Sequence, residues 1–240
     1  MALNCLFKGT VPKHVESPDD NEDAYLTDPE RGRVVVSDGA SESFDARNWA
    51  QLLVNRMMEE ELSPEAVASC LGGYEALHDA SRLSWSKAAA YERGSFATLL
   101  IAQDHPERNI VQITAAGDSL AVWVDGGQLL ASAPYIHSEQ FQEKPVLLAT
   151  RLSLNATGDD QIGTWQWGYE EQGYRLLLCM TDALGAWLLA HQEKGDQSAL
   201  EALCGIREVE ELVGLVVRER GAGRLRRDDS TLVIVSVTRS

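Results

Sequence analysis

The chain lacks what a membrane or nucleic-acid protein needs. In 240 residues no apolar run approaches the length of a membrane span. The opening MALNCLFKGT has no basic segment leading into an apolar run, so it does not read as a secretory signal. Basic residues are scarce: 21 Lys and Arg stand against 37 Asp and Glu, a formal net charge of −16. That balance repels phosphate backbones and anionic lipid, so neither nucleic acid nor a membrane is an expected partner. A phosphate-bearing substrate stays open, because a bound metal ion inverts the local field. Cys5, Cys70, Cys179 and Cys204 form no CxxC pair, which argues against a zinc or redox motif and for free thiols in a reducing, cytoplasmic setting. The five histidines form no HExxH, and GAGR at 221–224 lacks the end of a phosphate loop. No repeat, low-complexity tract or Gly/Ser linker divides the chain, so residues 1–240 read as a single domain.

What is present is an apolar fraction of 44%, enough for a sizeable core. Arg33 to Ser37, RVVVS, is a β-branched run and predicts a buried strand. From Phe44 to Leu62, Trp49, Leu52, Leu53, Met57 and Leu62 fall at helical spacing. Ser63-Pro64 opens a second helical region towards Tyr91, with an interruption expected at Gly72-Gly73. SFATLLIAQ, NIVQITAAG and SLAVWVDGGQLL then predict successive strands, the last folded at Asp125-Gly126-Gly127. Residues 132–160 suggest a loop and helix covering the sheet. TWQWGY and YRLLLCM predict strands, ALGAWLLAH a helix, the stretch from Ser198 to Arg220 two more helices, and STLVIVSV a final strand. Consecutive strands without intervening helices indicate antiparallel pairing and an α+β fold.

Acidic residues border these strands. Asp38 follows RVVVS, Asp118 separates two strands, Asp182 follows LLLCMT, Asp228 and Asp229 precede the last strand, and Glu22 and Asp23 precede AYL. Taken singly, each is also what an ordinary turn carries. Brought together, such carboxylates would repel one another, and hard divalent cations such as Mg²⁺ or Mn²⁺ would offset that repulsion.

The ordered segments NEDAY, VVVSDGASES, GSFATLL, AAGDSLAVWVDGG, CMTDALGAWLL and RRDDSTLVIVSV resemble the metal-dependent protein phosphatases of the phosphatase 2C (PPM) type, from about Gly9 onward. The resemblance implies a four-layer α-β-β-α sandwich of two antiparallel sheets flanked by helices, with a metal site at one end. It implies two Mn²⁺ or Mg²⁺ ions, and a third, weaker one at Asp118 in bacterial members. Glu22 matches the acid on the second metal, and Asp23 a neighbour that holds metal-bound water. Asp38 matches the bridging, catalytic Asp, Gly39 a carbonyl donor, and Asp182 and Asp228 further ligands. The implied reaction is hydrolysis of phosphoserine or phosphothreonine in a protein by water bridging the metals, opposite a separate cognate kinase.

Three departures stand out. Ala40 occupies a position where members commonly carry His or Met, so solvent, a metal-bound water or another side chain would have to protonate the leaving oxygen. Ala183 follows Asp182 where members carry Gly. Between Gly9 and Glu22 the basic residues are Lys13 and His14, not Arg; Lys13 is the candidate phosphate holder, with a solvated surface lysine as the alternative. These departures keep two other readings open: a catalytically impaired regulatory module that binds phosphoproteins, and a phosphatase for a small phosphorylated metabolite.

Overall fold

The computed structural model describes residues 3–155, 162–169 and 174–238. Numbered in chain order, one antiparallel sheet places β1 (Leu3–Val11), β12 (Ser230–Val237), β11 (Arg175–Met180), β7 (Leu120–Asp125) and β8 (Gln128–Ala133) side by side. The other orders β10 (Gly163–Gly168), β6 (Ile110–Ala116), β5 (Leu99–His105), β3 (Arg33–Ser37) and β2 (Ala24–Asp28), also antiparallel. A short pair joins β4 (Phe96–Ala97) to β9 (Leu148–Ala149). The helices are α1 (Ala46–Met57), α2 (Pro64–Ala76), α3 (Trp85–Arg93), α4 (Asp182–Gln192), α5 (Ser198–Gly205) and α6 (Val209–Gly221).

Strand alternation builds three apolar layers. Val34 and Val36 of β3 meet Leu177, Val233 and Val235 of the opposite sheet. Val35 points the other way, onto Trp49 and Leu53 of α1 and Val67 of α2. On the far side, Leu178, Leu232 and Ile234 pack beneath Leu184, Leu188, Leu200 and Leu215 of α4 to α6. The result is the expected helix–sheet–sheet–helix sandwich. Trp165 and Trp167 share one face of β10 and pack into the intersheet layer, Trp167 lying 5.9 Å from Trp123 between ring centroids.

Several boundaries differ from the sequence reading. The first helix starts after Asp45, whose carboxylate caps the Asn48 N–H at 3.3 Å. It ends at Met57 instead of Leu62, because Glu59, Glu60 and Glu61 would set three anions at the negative end of its dipole. Gly72-Gly73 does not interrupt α2; an interior glycine costs only about 1 kcal/mol against Ala, less than the packing of this helix on α1. SFATLLIAQ is two strands, β4 and β5, broken at Thr98. Within 132–160 the covering segment holds 3₁₀ turns at Ser138–Gln142 and Leu152–Leu154 rather than an α-helix; positions 156–160 lie outside the described residues.

Candidate active site

Strand register brings the acid-bearing ends together. Val11 faces Ser230, Met180 faces both Leu232 and Leu120, Ala24 faces Ser37, and Leu99 faces Ala116. Lys13, Glu22, Asp23, Asp38, Asp118, Asp182, Asp228 and Asp229 all lie on the segments that leave or enter at these ends. Lys13, Asp38, Gly39, Asp118, Asp182 and Asp228 line one cavity of about 330 Å³. Glu22 lines an adjoining cavity of about 420 Å³, which shares Lys13 and Ser41 with the first.

Hydroxyl groups fasten the two sheets at this end. Asp23 Oδ2 accepts from Thr181 Oγ1 at 3.1 Å and Thr231 Oγ1 at 2.7 Å, so an acid entering β2 is held by residues of the opposite sheet. Thr98, at the break between β4 and β5, accepts the Asp38 N–H through Oγ1 at 2.9 Å and donates its own N–H to the Asp38 carbonyl at 2.8 Å. Its hydroxyl also meets Ser119 Oγ at 2.7 Å. The interruption of the predicted strand is therefore what positions Asp38. Gly39 is demanded by crowding: a Cβ there would lie 2.8 Å from the Glu22 carbonyl oxygen and 2.9 Å from the Ala46 Cβ.

Asp229 has a separate task. Its Oδ1 accepts the Lys13 N–H at 2.5 Å and its Oδ2 the Glu22 N–H at 2.8 Å. Both oxygens receive backbone donors, which suits a carboxylate and not an amide. Ala183 is buried at the start of α4 and is not among the positive-φ residues, so its methyl fits without backbone strain. Lys13 Nζ lies 3.8 Å from Asp228 Oδ1.

The electrostatics are those of crowded anions. Burial pushes Asp38 well above the usual carboxylate range, and repulsion from Asp23, Asp182, Asp118 and Asp228 adds to it. Burial also raises Asp23 and Asp182, while Arg226 restrains the rise at Asp182. Asp118 is pushed up to about 7, by burial first and by Asp182 second. Glu22 is raised by burial and moderated by the Ser41 hydroxyl.

The donor set suits a hard divalent cation: Asp23 Oδ1 and Asp182 Oδ1 are buried without a hydrogen-bond partner, and Asp182 lines a cavity walled by further carboxylates. Among the described residues, however, no three His, Cys, Asp or Glu side chains stand in a ready-made metal-binding arrangement. A guanidinium is there instead. Arg226 Nη2 donates to Asp182 Oδ2 and lies 3.4 Å from Asp228 Oδ2. Sequence reading sought a cation between Gly9 and Glu22 and missed this one; the signal was the basic pair Arg226-Arg227 directly before the acidic pair Asp228-Asp229. Thr98, Thr181 and Thr231 were also missed, being indistinguishable from ordinary strand residues.

No protein-family model matches the chain, and no curated relative matches it in sequence. Solved structures do match along its whole length. The photosystem II phosphatase PBCP aligns with a TM-score of 0.62 at 16% identity, over 99% of this chain and 100% of that one. The catalytic domain of the serine/threonine protein phosphatase PstP, in complex with two manganese ions, aligns at 0.63 and 16%, over 99% of both chains. The Mycobacterium tuberculosis serine/threonine phosphatase PstP/Ppp aligns at 0.62 and 15%, over all of both. The chain thus has the sandwich fold of the phosphatase 2C-type serine/threonine phosphatases.

Proposed function

We propose that this chain is a divalent-metal-dependent phosphatase that hydrolyses phosphoserine or phosphothreonine in a protein substrate. The observation that carries this reading is the convergence of Asp38, Asp118, Asp182 and Asp228 on one cavity, with partnerless buried oxygens on Asp23 and Asp182, in a phosphatase fold.

Glu22, Asp38, Asp182 and Asp228, with the Gly39 carbonyl, would hold two Mn²⁺ or Mg²⁺ ions, and Asp118 a third. Such ions, when bound, offset the charge of a phosphate dianion and lower the pKa of water. Thr98 holds the Asp38 backbone, through its Oγ1 at the Asp38 N–H and its own N–H at the Asp38 carbonyl, in the cavity that Asp118, Asp182 and Asp228 also line. Asp23 commits Oδ2 to two threonines and retains Oδ1 as an acceptor able to orient an attacking water. Lys13, at the junction of the two cavities, can exchange Asp228 for a substrate phosphate oxygen. Ala40 offers no proton, so solvent in the open cavity serves the leaving oxygen. The second cavity gives the peptide flanking the phosphorylated residue a place beside Lys13.

The second reading, a regulatory module without turnover, is favoured by one observation: Arg226 pairs with two of the acids needed for metal. Phosphate release from a phosphothreonine peptide separates the two, measured with Mn²⁺, with Mg²⁺ and with chelator. Turnover that requires metal is expected. A folded protein that releases no phosphate at any metal concentration refutes the enzyme. Competition between the peptide and a small phosphate ester then decides whether the substrate is a protein or a metabolite.

A further inference from the structure

Arg226 differs from the other cations around the site. Arg220 is built in, donating to the Pro12 carbonyl at 2.8 Å, to the Asp228 carbonyl and to Ser230 Oγ at 3.1 Å. Arg226 reaches from a half-exposed position, and its guanidinium meets the side chains of Asp182 and Asp228, which come from different elements. Asp182 opens α4, and Asp228 lies in the loop before β12. The guanidinium takes up Asp182 Oδ2 and leaves Oδ1 without a partner.

We propose that Arg226 is an internal counter-cation of the acid cluster: it holds Asp182 and Asp228 together and must release them before a divalent ion can take both. This rests on the reading that the cluster binds divalent metal. A cluster of buried carboxylates needs positive charge nearby, and a guanidinium supplies it through directional donors. Asp182 Oδ1 stays open, but a guanidinium on Oδ2 and 3.4 Å from Asp228 Oδ2 sets a positive charge beside any ion that these two acids would hold, and like charges repel at such distances. Ion and guanidinium therefore compete, and apparent metal affinity falls with the fraction of molecules in which the acids are free. The half-exposed side chain can swing into solvent without unfolding anything. Metal loading would then be shifted within the chain to higher metal concentration.

Calorimetric titration with Mn²⁺ of the wild type, Arg226→Gln and Arg227→Gln tests this. Arg227 is exposed and adjacent, so its replacement removes the same charge without the contact. Arg226→Gln is expected to bind Mn²⁺ about tenfold more tightly than the wild type, about 1.4 kcal/mol. Arg227→Gln is expected to stay within about twofold, since exposed charges are screened by solvent and salt. Equal affinities in the two variants overturn the proposal while leaving the phosphatase reading intact. Metal binding by Arg226→Gln alone supports the proposal and refutes the wild type as a metal-loaded enzyme. Binding by none of the three overturns both. A measurement on the wild type guards against an unstable variant: the assigned Arg226 side-chain N–H resonance should shift as Mg²⁺ saturates the protein, and an unmoved resonance overturns the proposal.

Discussion

Asp229 shows how local hydrogen bonding can specify a single side chain. Its two oxygens accept the Lys13 and Glu22 N–H groups, fixing the two segments that carry basic and acidic side chains to the cavities. Asp229→Asn would turn an amide NH₂ toward one of these donors. A loss of about 1–3 kcal/mol in urea unfolding is expected, the cost of an unsatisfied buried group; an unchanged midpoint contradicts the assignment. Asp118 gives a pH prediction. Its carboxyl, raised to about 7, is protonated in the folded protein at pH values where the unfolded chain is ionised. Stability from this group is present below about pH 4 and is lost as pH rises through about 7. In chelator, the thermal midpoint should fall across that window, and saturating Mn²⁺ should remove the fall. A flat profile in chelator counts against a desolvated Asp118. Asp38, Asp118, Asp182 and Asp228 were legible in sequence because each interrupts the boundary of a strongly apolar strand. Arg226 was not, because a basic pair in a polar loop looks like solvated surface.

At the level of elements, the periodicity of apolar residues was a sound guide to type and a poor one to ends. The run SFATLLIAQ shows no break, since Thr98 has a β-branched side chain suited to a strand; only the hydrogen bonds to Asp38 reveal why the strand stops. The turn from β6 to β7 is equally constrained. Gly117 has φ +94, and a Cβ there would lie 2.7 Å from Thr98 Cγ2. Gly117→Ala is expected to cost about 1–3 kcal/mol from backbone strain, and more from the clash. Because the displaced neighbour is Thr98, the same change should lower kcat for a phosphopeptide beyond what the lost folded fraction explains. Loss of stability with kcat per folded molecule intact would show that Thr98 does not position Asp38.

Across the whole molecule, two sheets with separate helical covers meet at one end through side chains rather than backbone pairing. Asp23 with Thr181 and Thr231, Thr98 with Ser119, and Glu22 with Asp229 make that junction. The order of strands and helices made the layers readable from sequence. The junction was not, because most of its bonds join residues more than 150 positions apart, such as Asp23 and Thr231. The fold persists at 15–16% identity to solved phosphatases, consistent with apolar alternation specifying the sandwich and a few polar residues specifying the site. With a net charge of −16, the molecule as a whole disfavours anionic partners, so the proposed hydrolysis would require local positive charge at the cluster. The most direct test is phosphate release from a phosphothreonine peptide with Mn²⁺, comparing the wild type with Asp38→Asn. A metal-requiring wild-type rate, reduced at least about a hundredfold in the variant while its fold is retained, is the predicted result. Equal rates in the two proteins would contradict a reaction centred on Asp38.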